Sequence, residues 1–222
     1  MQNDYNVNEV QGTVSGIVLG FDDYFPDTWE QYFDLFDKYN AKVTFFVTGN
    51  SVTKFMIDAQ ERGHEIAYHT INHFYLSKIS EEQFFEQTVS CIDAFKGAGV
   101  ELSTFGYPYG DYKDWMHNEL LKSYKIVRGY GGNRNYTAEE MKYGFVESIS
   151  IDNIRCKSDH ALKLLVDTRL SIAKNNKSIA LLNSHEINSA DWGITPERLV
   201  YLLNKGQEME LKFYTYKDLQ NL

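Results

Sequence analysis

From Gly16 onward, short β-prone runs alternate with amphipathic stretches along the chain. The first five elements read as strand, helix, strand, helix and strand, at 16–21, 28–39, 42–47, 52–62 and 64–68. Such alternation favours parallel strands joined by crossover helices. The run at 42–47 is almost continuously apolar, as expected of a central strand that is covered on both faces.

The remainder of the chain continues this pattern. A helix is predicted to begin after the capping residue Ser80, to carry acidic residues in its first turn and to end at Gly97. Further strands are predicted at 102–107, 125–127, 145–151, 178–182 and 211–215, and further helices at 115–123, 160–174 and 196–205. About eight strand signals favour closure into an α/β barrel, and a doubly wound open sheet is the competing architecture.

Composition and charge exclude several classes of partner. The 222-residue chain has a formal net charge of -9 and no basic stripe, which argues against binding to DNA or RNA. No apolar stretch approaches the length of a membrane span, and the first residues lack the features of a signal peptide. The sequence makes no prediction about the oligomeric state.

Residues 1–14 are predicted to be a polar N-terminal extension, followed by one domain over residues 15–222, since no repeat or linker interrupts the pattern. The Asn- and Gln-rich start resembles a linker trimmed from a secreted precursor, although a cytosolic terminus would look the same. We therefore expect a location outside the cytoplasm, in the extracellular space or cell envelope, and leave the cytoplasm open as the alternative.

Two groups of polar residues follow predicted strands and together indicate a metal hydrolase. Asp22 and Asp23 follow the first strand, and His69 and His73 follow the third. Two neutral imidazoles and a carboxylate are a ligand set typical of zinc sites that leave a position open for water, and the spare carboxylate could accept that water's proton. The carboxyl ends of parallel strands meet at one edge of a sheet, so we expect all four side chains there.

Each of these pairs also has an ordinary structural interpretation. Consecutive strand residues point to opposite faces, so Asp22 and Asp23 share a site only where the backbone leaves the pleat; otherwise they form a solvated acidic loop. On a helical turn, His69 and His73 would present both rings to one ion; otherwise they are a polar strand end and a surface residue. The coincidence of both pairs at one rim favours the metal site.

Four segments occur in a characteristic order: Gly-Phe-Asp-Asp at 20–23, Gly-His-Glu-Ile-Ala-Tyr-His-Thr-Ile-Asn-His at 63–73, Tyr-Pro-Tyr-Gly at 107–110 and Leu-Leu-Asn-Ser-His at 181–185. They resemble the motifs of the polysaccharide deacetylase family, also called NodB-homology or carbohydrate esterase family 4. The resemblance spans nearly the whole chain and is strongest over residues 16–73. It implies a distorted (β/α) barrel of the NodB type and metal-dependent removal of acetyl groups from N- or O-acetylated glycans.

The resemblance also implies roles for individual residues. Asp22 matches the general base. The residues that match the metal ligands are Asp23, His69 and His73. The implied cofactor is a divalent ion, with zinc expected. Tyr109 matches the residue whose backbone N–H holds the oxyanion, and His185 matches the general acid, a role suited to a side chain that titrates near neutral pH.

The sequence departs from the family pattern around the base. Gly106 stands two residues before Pro108, where the family usually has an arginine that orients the base carboxylate, so slower chemistry is expected unless another cation substitutes. Arg128, at the end of a predicted strand near the same rim, is the candidate substitute, and a surface arginine is the alternative. The family's fourth motif is represented by Asp152, which either orients and tunes His185 or has a capping or surface role.

Several aromatic residues are candidates for contact with a sugar. Tyr24 replaces the glycine that the family usually has after the second aspartate, so its ring would crowd the site or offer a surface for a sugar. Rings that could floor a glycan groove, with core positions as the alternative, are Tyr107, Tyr109, Trp115 and Trp192. Trp192 is the best placed, because it lies in a polar loop shortly after His185.

These observations predict a metal-dependent carbohydrate deacetylase that acts on an acetylated glycan. A glycan-binding module that kept the barrel but lost turnover is the alternative, motivated by Gly106 and the weak fourth motif. A hydrolase of the same fold that acts on a non-sugar amide is the third possibility. N-acetyl and O-acetyl substrates both remain open, because the shape of the pocket selects the leaving atom.

Overall fold

The computed structural model describes residues 14–188 and 190–221. The strands are β1 Gly16–Phe21, β2 Thr44–Val47, β3 Glu65–Tyr68, β4 Thr104–Gly106, β5 Ile126–Tyr130, β6 Phe145–Ser150, β7 Ile179–Ser184, β8 Glu186–Ile187, β9 Gly193–Ile194 and β10 Lys212–Tyr214. The α-helices are α1 Pro26–Trp29, α2 Phe33–Lys38, α3 Lys54–Glu61, α4 Glu81–Thr88, α5 Ile92–Gly97, α6 Asp114–Leu120, α7 Ala138–Met141, α8 Asp159–Asn176 and α9 Pro196–Glu208. Short 3-10 helices span Glu30–Tyr32, Leu76–Lys78, Pro108–Gly110 and Asp218–Asn221.

The main sheet closes into a parallel barrel of seven strands, β1 to β7. Strand β1 pairs with β7 over its whole length, from Gly16 opposite Ile179 to Phe21 opposite Ser184. The amino-terminal half of β1 pairs with β10 on its other side, and only its last two residues pair with β2. The distorted (β/α) barrel expected from the sequence is therefore confirmed, and the open doubly wound sheet is wrong.

Side chains of the barrel strands pack alternately inside and outside the barrel. Phe45 on β2 points outward, where its ring stacks on Trp29 of α1 with 5.0 Å between ring centroids. The next residue, Phe46, points inward and contacts the ring of Tyr216 at 5.5 Å. Because both faces of each strand are covered, the strand sequences read as continuous apolar runs, with all six residues of β1 buried.

The helix predicted from Ser80 forms as two shorter helices. Ser80 caps α4 in a reciprocal capping box with Gln83, as its sequence indicates. The hydroxyl of Ser90 donates to the backbone carbonyl of Glu86 just where α4 ends, and such bonds back to the preceding turn compete with the helix and bend it. The predicted extension over residues 1–14 lies outside the described residues except for Val14.

Two kinds of element were not predicted. Helix α7 has four residues, and strands β8 and β9, which pair with each other, have two residues each. These elements are too short to show a hydrophobic period.

No helix in the described part of the chain combines the length and the apolar character that are needed to cross a bilayer.

His64 is a buried histidine that the fold keeps neutral. Its Nδ1 accepts a hydrogen bond from the backbone N–H of Val43 at 3.2 Å, and its ring lies against Phe33 and Phe45. Burial, together with the positive charge of Lys42, lowers the pKa of His64 to about 4. The protonated ring would lose its acceptor nitrogen and would place a charge among aromatic rings.

We expect the free energy of unfolding to fall as the pH is lowered from 6.5 to 4. The unfolded chain protonates His64 near pH 6.5, whereas the folded chain protonates it only near pH 4. Between pH 6.5 and pH 4 the unfolded state therefore binds more protons than the folded state. The stabilisation by neutral His64 is fully present above pH 6.5 and is lost as the pH falls to 4, which lowers the free energy of unfolding by about 3 kcal/mol at most. Urea unfolding measured across this range in wild type and in His64→Gln, which does not titrate, checks the difference. Identical pH slopes in the two proteins would contradict it.

Candidate active site

The residues that were expected to carry chemistry gather at the carboxyl ends of the barrel strands around one cavity. Its volume is about 350 Å³, which lies in the size range of small-ligand sites. The residues that line it are Asp22, Asp23, His69, His73, Tyr107, Tyr109, Gly110, Arg128, Tyr130, His185 and Trp192.

The backbone leaves the pleat directly after β1. The N–H of Asp22 still donates to the carbonyl of Ser184 on β7 at 2.9 Å, but Asp23 has a left-handed φ of 81°. The carbonyl of Asp23 accepts a hydrogen bond from the hydroxyl of Thr48 at 2.9 Å, which helps to hold this unfavourable turn. Two consecutive carboxylates therefore enter the same cavity.

Tyr24 also has a left-handed φ, of 87°, but its side chain turns away from the cavity. Its hydroxyl lies 2.6 Å from the hydroxyl of Thr53. Its ring packs edge-on against Trp29 and Phe55 in the layer between the barrel and the helices. Tyr24 does not line the cavity, so the expectation that it crowds the site is wrong, and its partly buried ring packs against the core.

Asp23, His69 and His73 form a cluster whose ligand atoms all lie within 4.8 Å of one another. Asp23 Oδ1 is 2.8 Å from His73 Nε2 and 3.3 Å from His69 Nε2. Burial raises the pKa of Asp23, but the two imidazoles outweigh burial and hold it well below its usual range. Asp23 Oδ1 is nevertheless buried without a hydrogen-bond partner among the described residues. This geometry fits three ligand atoms that face one divalent ion.

The hydrogen bond of His69 sets which of its nitrogens can face a metal. His69 Nδ1 lies 2.8 Å from the carbonyl oxygen of Gly106, and a carbonyl oxygen can only accept. Nδ1 therefore carries a proton, and Nε2, which faces Asp23, is the nitrogen that can bind a metal when the ring is neutral. A carbonyl partner behind the ring is the arrangement that commonly orients a metal-binding histidine.

His69 and His73 reach the cluster from a loop rather than from a helical turn. Thr70 and His73 have left-handed φ values of 71° and 54°, which a helix does not tolerate. The hydroxyl of Thr70 accepts the backbone N–H of His73 at 3.0 Å and closes this loop. The predicted helical geometry is wrong, although the four-residue spacing does bring both rings to one place.

Asp22 is held by a buried arginine. Arg128 Nη2 donates to Asp22 Oδ1 at 2.7 Å, and both side chains are almost completely buried. Asn183 Nδ2 donates to the other carboxylate oxygen at 3.3 Å, and the guanidinium of Arg128 lies 4.2 Å from the ring centroid of Phe46. The alternative of a surface arginine is wrong.

Gly106 provides the space that Arg128 occupies. A Cβ at position 106 would lie 2.6 Å from Arg128 Nη2 and 2.7 Å from a ring carbon of Phe46. The glycine at this position and the arginine on β5 are therefore sterically complementary. Asn183 was not assigned a role from the sequence, although it stands two residues before His185 at the end of β7.

His185 is paired with a buried carboxylate. Its Nδ1 lies 3.0 Å from Asp152 Oδ2, and Asp152 also accepts hydrogen bonds from Ser150 and Ser184 at 2.8 and 2.6 Å. Asp152 is completely buried, so a surface role for it is wrong. Burial lowers the pKa of His185, but Asp152 and the two carboxylates that follow β1 more than offset this and raise it to about 9. These carboxylates therefore favour the protonated form of His185.

The candidate sugar-binding rings fall into two groups. Trp192 and Tyr109 are both 53% exposed, and they line the cavity close to His185 and His73 respectively. Tyr107 borders the cavity but is fully buried, and Trp115 is not among the residues that line it. The expectation that Tyr107 floors a glycan groove is therefore wrong, whereas contact of Trp115, which is 38% exposed outside this cavity, with a glycan stays a prediction.

Comparison with known proteins finds that this chain is similar to several deacetylases. The family model described as polysaccharide deacetylase matches residues 10–126. A bifunctional xylanase/deacetylase of Pseudobutyrivibrio xylanivorans is 34% identical over 109 residues, which are 47% of this chain and 18% of that protein. A peptidoglycan-N-acetylglucosamine deacetylase of Bacillus cereus is 37% identical over 79 residues, 34% of this chain and 37% of that protein. The match thus covers a minor part of the length of each relative.

Solved structures share the fold at low sequence identity. A peptidoglycan deacetylase of Bacillus subtilis superposes with a TM-score of 0.63 at 20% identity, covering 94% of this chain and 91% of the other. The chitin deacetylase of Colletotrichum lindemuthianum superposes with a TM-score of 0.61 at 17% identity, covering 93% and 88%. These structures share the fold, and the family model that matches residues 10–126 confirms the sequence resemblance.

We predict that the cluster of Asp23, His69 and His73 binds one divalent ion. Calorimetric titration of the metal-free protein with Zn²⁺ should show one site. His73→Ala should weaken binding by more than the roughly 10- to 100-fold that follows loss of an outer hydrogen-bond partner, because it removes a ligand. His160→Ala, which changes an exposed histidine, is the control and should bind like wild type. Equal affinity of His73→Ala and wild type would exclude the site.

Proposed function

The chain belongs to the polysaccharide deacetylase family, and from this premise we propose that it is a metal-dependent hydrolase that removes acetyl groups from an N- or O-acetylated glycan. The observation that carries the proposal is a three-ligand cluster, Asp23, His69 and His73, beside a second carboxylate, Asp22, that takes no part in it. A hydrolytic metal site needs both parts.

The donor set of the cluster suits zinc, the ion that we propose. Two imidazole nitrogens and one carboxylate oxygen leave a coordination position free for water. An ion bound there would acidify a water molecule and polarise the acetyl carbonyl.

Asp22 is the proposed general base. Its carboxylate is fixed on one oxygen by Arg128 and on the other by Asn183, so it cannot rotate away from the cavity. The carboxylate accepts the proton of the attacking water as oxygen bonds to the acetyl carbon. Arg128 and Asn183 are positioning residues in this scheme, because they act through Asp22.

Tyr109 and His185 are proposed to serve the later stages of the reaction. The backbone N–H of Tyr109 stabilises the negative charge that develops on the acetyl oxygen. His185 donates its proton to the leaving nitrogen or oxygen as the bond to the acetyl carbon breaks, releasing acetate. Asp152 binds Nδ1 of His185 and thereby turns Nε2 toward the cavity.

An acetylated glycan is the proposed substrate class. The relatives described above include proteins named as a peptidoglycan deacetylase, a chitin deacetylase and a bifunctional xylanase/deacetylase. Trp192 offers an exposed ring beside His185 on which the apolar face of a sugar can pack. Polymers of this kind lie outside the cytoplasm, and we propose that the protein acts there.

The alternative of a binding module without turnover loses its main support. It was motivated by the absence of arginine at Gly106 and by the weak fourth motif. Arg128 on β5 contacts the carboxylate of the proposed base, Asp22, and Asp152 contacts the proposed acid, His185. A residue is therefore present to orient the base, and another to orient the acid.

We predict that acetate release depends on the metal and on Asp22. Chelator should abolish release from a panel of acetylated chitin oligomers, peptidoglycan and acetylated xylan, and added Zn²⁺ should restore it. Asp22→Asn should bind Zn²⁺ as wild type does but lose roughly 100- to 10,000-fold in kcat, the usual contribution of a general base. Release that survives both the chelator and the substitution would refute the mechanism.

We predict that Arg128 supports catalysis through Asp22. Arg128→Ala should lower kcat by about 10- to 100-fold with little change in Zn²⁺ affinity, since the base loses its orienting partner. Arg128→Lys should recover only part of the loss, because lysine lacks the planar guanidinium. Arg134→Ala changes a half-exposed arginine on the surface and serves as the control. Unchanged rates in folded Arg128→Ala, checked by its melting curve, would rule out this role.

A further inference from the structure

Two exposed tyrosines stack on each other at the rim of the cavity. The rings of Tyr75 and Tyr109 are 4.0 Å apart between centroids and nearly parallel, with an interplanar angle of 9°. They are 43% and 53% exposed, so burial in the core does not account for the contact. Lys78 Nζ lies 4.1 Å from the centroid of Tyr75, and His73 contacts the ring of Tyr109 at 4.5 Å.

Tyr109 has a backbone conformation that tyrosine does not favour. Its φ is 59° and its ψ is 3°, in the left-handed region, where a side chain clashes with the backbone. The free-energy cost of this conformation and the gain from one stacked aromatic pair are of similar size. The stack on Tyr75 can therefore offset the strain at Tyr109.

We propose that Tyr75 is a positioning residue. By stacking on Tyr109, it holds Tyr109 in the left-handed conformation in which the backbone N–H of Tyr109 stabilises the oxyanion. This inference rests on the proposed function, since the role of the N–H belongs to it. The conformation of the donor is then maintained by a side chain from a different segment of the chain.

The same two segments are joined a second time. Asp111, which follows the turn, accepts hydrogen bonds from the backbone N–H and the hydroxyl of Ser77 at 2.7 and 2.8 Å. The segment that carries Ser77 and Tyr75 begins with His73, a residue of the metal-binding cluster. These contacts set the distance between that cluster and the oxyanion donor, while the stack sets the backbone conformation of the donor.

A different role for the stack would be to present the ring of Tyr109 to a sugar. Substitutions at position 109 separate the two roles. Tyr109→Ala removes the ring and keeps the left-handed strain, whereas Tyr109→Gly removes both, since glycine adopts positive φ without a clash. Positioning predicts that glycine outperforms alanine in kcat. A sugar platform predicts equal kcat for the two and a raised KM.

The experiment measures kcat and KM for acetate release, Zn²⁺ affinity and melting temperature. Tyr75→Ala should lower kcat about tenfold, well short of the hundred- to thousandfold that follows loss of an oxyanion donor, with KM and Zn²⁺ affinity unchanged. Tyr75→Phe keeps a ring and should behave as wild type. Tyr143→Ala removes a tyrosine that is 77% exposed and is the matched control.

The double variant completes the test. Adding Tyr75→Ala to Tyr109→Gly should cause no further loss of kcat, because glycine at position 109 has no strain for the stack to offset. Tyr109→Gly should also melt at a higher temperature than Tyr109→Ala. Equal melting temperatures for these two variants, or an unchanged kcat in Tyr75→Ala, would overturn the inference. If wild type releases no acetate from any substrate, the proposed function fails, and the melting temperatures alone decide whether the stack relieves strain.

Discussion

The pairing of β1 with β7 is the interaction on which the site depends. It closes the barrel, and it places the residues that follow β1 beside those that follow β7. Asp22 thereby comes within hydrogen-bonding distance of Asn183, and Asp23 comes within 3.7 Å of His185, across more than 150 residues of sequence. In an open sheet five other strands would separate β1 from β7, and the base and the acid would not share a cavity.

Within this frame, the buried charge of Arg128 is compensated locally. A guanidinium in the interior of a barrel is costly unless it is paired, and here it bonds Asp22 and lies over Phe46. Gly106 provides the space for this guanidinium, since any larger side chain at position 106 would collide with both Arg128 and Phe46. The glycine that looked like a missing catalytic group is therefore part of the arrangement that orients the base.

Unfavourable backbone is concentrated around the same cavity. Asp23, Thr70, His73 and Tyr109 all have left-handed φ values, and each stands next to or within the set of residues proposed to act on substrate. Such conformations persist only where surrounding contacts hold them. Here the holding contacts are side-chain hydrogen bonds at Asp23 and His73 and a ring stack at Tyr109. Short loops can thus aim ligands and donors at one point.

Much of the fold and the candidate metal cluster could be predicted from the sequence. The bounds of β1 were predicted to the residue, because a buried parallel strand is a continuous apolar run. The order of strands and helices placed Asp23, His69 and His73 at one rim, and family motifs pointed to His185. These features are local in the sequence, since each depends on hydrophobic period, on capping residues or on a short motif.

Other features were decided only by the tertiary structure. Whether Arg128 faces solvent or Asp22 depends on which residues of neighbouring strands lie beside it, and Gly106 and Phe46 are distant in sequence. Tyr24 packs against the core and not into the cavity, because Thr53 and its neighbours offer it partners there. The sequence by itself determined most of the elements and the residue types at the ends of the strands. The packing of distant side chains decided which way those residues point, because orientation is a property of contacts that no local pattern encodes.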